Sequence, residues 1–60
     1  MKYKIGDIIN EKLGNGNGND LGYITYVNEK AECLDIVFFA EDDIEYNFTF
    51  SVFEGYYKVL

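Results

Sequence analysis

The chain has no histidine and no arginine, and only one cysteine in its 60 residues. Without imidazole there is no usual general base, no nitrogen ligand for zinc and no partner to activate a serine or cysteine nucleophile. Paired carboxylates could run acid–base chemistry only in a cleft, which so short a chain has little room to form. These absences predict a protein that is not an enzyme and holds no metal or other cofactor. Cys33 has no second cysteine to bond, so no internal disulfide supports the fold and a buried, reduced thiol is expected. The five lysines, at positions 2, 4, 12, 30 and 58, do not cluster, which leaves no cationic track for a phosphate backbone. Direct nucleic-acid binding is therefore not expected. Long apolar runs are absent as well. The longest, Ile36 to Ala40, falls far short of the ~20 residues a membrane span needs. Gly6 and Asp7 interrupt the N-terminal stretch before it reaches signal-peptide length. The expectation is a soluble, cytoplasmic protein with no membrane contact.

What the chain does have is rings and carboxylates. Six Tyr and five Phe accompany eleven Asp and Glu, for a formal net charge of −6. At 60 residues one domain, 1–60, is expected, near the lower size limit for folding without a metal or disulfide. Such a domain buries only about 60% of its unfolded surface, so large rings are efficient core material. Eleven are more than it can hide. The composition points to an acidic module made for binding.

Strands dominate the pattern. Tyr46, Phe48, Phe50 and Val52 alternate with polar residues, the period of a half-buried strand. Cys33 to Ala40 reads as another, with Leu34, Ile36 and Phe38 on one face and the less apolar set Cys33, Asp35, Val37 and Phe39 on the other. Leu21 to Asn28 is β-branched and aromatic. Tyr3 to Glu11 and Tyr56 to Leu60 complete five strands. Asn28 to Glu32 and Glu41 to Asp43 have the polarity and length of hairpin connections. Ser51-Val52-Phe53-Glu54 fits a capping box with Gly55 at the stop position, so one short 3₁₀-like turn should precede the last strand. The expected core is Ile5, Ile9, Ile24, Val27, Leu34, Ile36 and Phe38 with the alternating set from Tyr46. Short strands and tight turns predict an all-β, five-stranded antiparallel small barrel.

Tyr3-Lys4-Ile5-Gly6-Asp7-Ile8-Ile9 resembles the opening strand of small SH3-like barrels of the Tudor and KOW type. Leu21-Gly22-Tyr23-Ile24-Thr25-Tyr26-Val27 is similar to their second strand and Asp35-Ile36-Val37-Phe38-Phe39 to their third. The resemblance implies an SH3-like barrel and says little about activity. The peptide-binding SH3 domain itself matches poorly, since there is no Trp for its proline groove. In size, charge and lack of catalytic residues the chain also resembles small inhibitors from phage and other mobile elements, including DNA-mimicking anti-defence proteins.

Two runs invite functional readings. Gly14 to Asp20 lacks the third glycine of a dinucleotide fingerprint and the Lys-Ser/Thr pair of a phosphate-cradling loop. As a single copy it is also a poor match to arrayed calcium repeats, and it reads as a long flexible loop. Glu41-Asp42-Asp43, continuing to Glu45, is the densest charge cluster. It reads either as a solvated hairpin tip or as an acidic patch facing a basic partner. Strand alternation directs Tyr23 or Tyr26, and Phe39, away from the core, and Tyr23, Tyr26 and Phe39 with Glu41, Asp42, Asp43 and Glu45 form the expected partner-binding surface. Two functions fit it: an acidic protein covering the basic surface of another protein, or an accessory module gripping a peptide or assembly partner through exposed rings. Either is compatible with a homodimer.

Overall fold

A computed structural model describes residues 2–12 and 21–60 of the chain; the expected Gly14–Asp20 loop lies outside the described residues. The fold is all-β with one short helix. The elements are β1 (Ile8–Glu11), β2 (Leu21–Asn28), β3 (Cys33–Phe38), β4 (Glu41–Thr49), α1 (Phe50–Tyr56) and β5 (Tyr57–Val59). They form one antiparallel sheet in the order β4-β3-β2-β1-β5. Among the described residues β4 and β5 do not pair, so the sheet is open rather than closed into the expected barrel. The chain between them is wound into α1, and β5 is only three residues long.

The helix is longer than the single 3₁₀ turn expected. Its cap is Thr49 rather than Ser51: the Thr49 hydroxyl accepts from the Val52 amide at 3.2 Å. The strand therefore ends at Thr49, short of the alternation that runs to Val52, because the hydroxyl of Thr49 offers the backbone a helical exit. The Phe50 amide is satisfied by the Glu32 carbonyl at 2.8 Å, and the Tyr57 amide by Phe53 O.

Other boundaries move for local reasons. The first strand starts at Ile8, not Tyr3, because Gly6 adopts φ +94° and turns the chain. The Gly6 amide then reaches Ile24 O at 2.7 Å. The β3–β4 turn is Phe39-Ala40, since Phe38 pairs with Glu41; Glu41 to Asp43 belong to β4 and are not the hairpin tip. The last strand is trimmed to Tyr57–Val59, because Tyr56 closes the helix.

The core is Tyr3, Ile9, Ile24, Leu34, Ile36 and Phe53, with Val27, Phe38, Tyr46, Phe48, Phe50 and Tyr57 partly buried against it. Ile5, expected inside, is 68% exposed because the turn at Gly6 swings it outward. Val52 is 44% exposed, since its segment is helical and Phe53 takes the inward position. Tyr3 and Phe53, not expected in the core, meet edge to face with ring centroids 5.3 Å apart.

Tyr3 also fastens the segment before β1 to α1. Its hydroxyl donates to Glu54 Oε2 at 2.5 Å; Lys2 forms an ion pair with the same carboxylate, and Lys12 Nζ donates to the Glu54 carbonyl. The hydrogen bond from Lys2, with that from Tyr3, holds the Glu54 carboxyl below its ordinary range. Burial, then the bond to Glu54, pushes the Tyr3 phenol well above its ordinary value near 10. The signs follow by linkage. Glu54 stabilises the fold above the ordinary glutamate range and loses that contribution as pH falls through its lowered value. Tyr3 stabilises below pH ~10 and loses its contribution as pH rises. Glu54→Gln should therefore lower Tm most above pH ~5, with the gap to the parent narrowing below pH ~4. Thermal melts across pH test this, and a gap that stays constant into acid would refute the assignment.

Candidate functional site

Sheet alternation sorts the seven expected binding residues. Ile9, Ile24, Leu34 and Ile36 face the core, so Ile8, Tyr23, Val37 and Glu45, paired across four strands in one row, share the outer face. A bulge between Ile24 and Tyr26 keeps Tyr26 outward as well, opposite Asp35, which in turn pairs with Asn47. Phe39, in the two-residue turn, lies over the same face, its ring centroid 5.4 Å from that of Tyr23. Its amide donates to Leu21 O at 3.0 Å, which ties the turn to β2. Tyr26 and Phe39 are 50% and 52% exposed, whereas Tyr23 is half-buried.

The acidic residues divide. Glu45 stays on the outer face, where its Oε2 accepts from Thr25 Oγ1 at 2.6 Å. Glu41 turns the other way and accepts from the Tyr46 hydroxyl at 3.2 Å on the core side. That hydrogen bond, then partial burial, raises the Tyr46 phenol above its usual value. Asp42 and Asp43 lie between. Phe38 pairs with Glu41 but Val37 pairs with Glu45, so Asp42, Asp43 and Ile44 form an irregular excursion along the free edge of the sheet, exposed to solvent. The structure thus gathers Tyr23, Tyr26, Phe39 and Glu45 on one face, sets Asp42 and Asp43 at its rim and turns Glu41 away.

Val37 and Ile8 belong to this apolar area but are absent from the expected set. Val37 had a signal, since the second face of its strand is only partly polar, and it is buried even though it faces outward. Cys33, expected to be buried, is only half-buried, on the outer face opposite Asn28 and Thr49.

Charge is segregated in a way the total conceals. Residues 29–49 hold seven carboxylates and only Lys30, whereas the remaining chain holds four lysines and four carboxylates. The whole formal charge of −6 therefore belongs to the β2–β3 turn, β3 and β4. No family model, curated protein or solved structure matches this chain. What the site can do rests on its own chemistry. Among the described residues no group of three or more His, Cys, Asp or Glu could hold a metal ion, the surface forms no pocket, and no helix is long and apolar enough to cross a membrane.

Proposed function

We propose that this chain is a non-catalytic acidic binding protein that covers a basic surface of another protein in the cytoplasm, as DNA-mimicking inhibitors from phage and other mobile elements do. The observation that carries the reading is the confinement of the entire −6 charge to residues 29–49, beside the half-buried Tyr23 and the exposed Phe39 ring packed on it. Rings supply anchors that can be desolvated, and like-signed carboxylates around them steer a cationic partner into contact. Nucleic acid is a poor ligand by the same chemistry, and two of the five lysines, Lys2 and Lys12, are engaged at Glu54. We read the fold as an SH3-like small barrel left open along one seam. The strand order and the helix between β4 and β5 support that reading.

The test is affinity for a captured partner, measured with Asp42→Lys and Asp43→Lys together and separately with Phe39→Ala. Charge reversal should weaken binding tenfold or more at low salt, with the penalty fading as ionic strength rises. Phe39→Ala should cost roughly 1–2 kcal/mol at every salt concentration. Two folded variants that bind like the parent throughout would end the proposal. A partner lost only with Phe39→Ala, at all salt concentrations, would favour an accessory module that grips through its exposed rings.

A further inference from the structure

We propose that β4 is a docking edge for an extended segment of the partner, which joins the sheet as a sixth strand with lysine or arginine alternating with apolar side chains. This rests on the acidic-surface reading and specifies how that surface is used. Three observations converge on it. First, among the described residues β4 is the sheet edge and pairs only with β3, and it is nine residues long, whereas exposed edge strands are normally kept short. Second, Tyr46 and Phe48 stand two residues apart on its core side and are only half-buried, while Glu45, Asn47 and Thr49 between and beside them are exposed. A strand laid along Glu45 to Thr49 would set every second side chain against those two rings and the intervening ones toward Glu45 and Asn47. Third, this half of the molecule carries the whole net charge, so the outward side chains of a complementary strand are cationic.

The excursion at Asp42-Asp43-Ile44 interrupts pairing above Glu45, which limits the ladder to the Glu45–Thr49 stretch and leaves two carboxylates at its end to steer entry. A second copy of this chain is the wrong occupant for that edge. It would bring together two halves that each carry the whole −6 charge, and their mutual repulsion opposes the pairing. Carboxylates on an edge also guard it against indiscriminate pairing. Such a guard is selective: it repels an acidic strand and attracts a basic one.

The experiment uses three nine-residue probe peptides and the whole chain. One alternates lysine with isoleucine and valine. The second has the same sequence with N-methyl groups on every backbone amide, so it keeps its charge but can donate along neither edge. The third replaces lysine with glutamate. Fluorescence anisotropy gives affinity, and amide hydrogen exchange locates the contact. The lysine peptide should bind and protect amides within Glu45–Thr49. N-methylation should weaken it at least tenfold, Glu45→Lys in the protein at least fivefold, and the glutamate peptide should not bind. Equal affinity of the N-methylated peptide, or binding without protection in Glu45–Thr49, would overturn strand addition while leaving the acidic-surface reading intact. A lysine peptide that binds no better than the glutamate peptide would overturn both.

Discussion

Phe53→Ala should remove most or all of the stability of this domain. The ring is 1% exposed and lies between Tyr3 and Tyr57, with centroids 5.3 and 5.6 Å away, so it joins the helix, the segment before β1 and β5. Deleting a buried phenyl ring costs about 3–5 kcal/mol, through lost transfer energy and the cavity left behind. A domain of this length has roughly 3–9 kcal/mol in total. Phe48→Ala should cost clearly less, because Phe48 is only half-buried and its neighbours can close over the gap. Urea unfolding followed by circular dichroism ranks the two. Equal losses, or a Phe53→Ala loss under about 1 kcal/mol, would mean that the core is centred elsewhere.

Gly22→Ala should be the second most damaging change, although it adds a single methyl group. Gly22 is buried in β2 opposite Phe38, and a Cβ there would sit 2.4 Å from the Val37 carbonyl oxygen and 3.1 Å from Phe38 Cα. Both obstacles are backbone, so no side-chain rotation relieves them and the β2–β3 ladder must part locally. Overpacking of this kind costs typically 1–3 kcal/mol. Gly55→Ala provides the contrast. A Cβ at Gly55 meets nothing within 4 Å, and alanine favours a helix over glycine by up to about 1 kcal/mol. Thermal melts should therefore move in opposite directions. A Gly22→Ala protein as stable as its parent would show that the two strands can separate at little cost.

The strands were legible in the sequence wherever apolar and polar residues alternate or β-branched residues gather. Leu21–Asn28 matches its expected bounds, and the inward set Ile9, Ile24, Leu34 and Ile36 is buried as expected. Alternation failed at Phe50 and Val52 because a period of two does not register where a cap ends a strand; Thr49 looks like any other polar residue of that strand until its hydroxyl meets the Val52 amide. Ile5 failed for a related reason, since hydrophobicity does not report the positive φ of the following glycine. Strand parity sends Tyr23 outward but not Tyr26, three residues on; the bulge after Ile24 brings Tyr26 to the same face, and Phe39 lies in the turn beside Tyr23. The division among Glu41, Asp42, Asp43 and Glu45 did not, because it depends on an irregular register that composition cannot encode.

The pairing of β1 with β5 joins Ile9 to Val59, nearly the full length of the described chain apart. β2, β3 and β4 are instead a meander of neighbours in sequence. Closing the long loop costs entropy that a three-residue strand repays slowly, whereas the hairpins close locally. The meander is thus the natural nucleus, and the β1–β5 seam forms late and opens early. The acidic edge would then be assembled first and lost last, so it persists even while the opposite side of the sheet breathes.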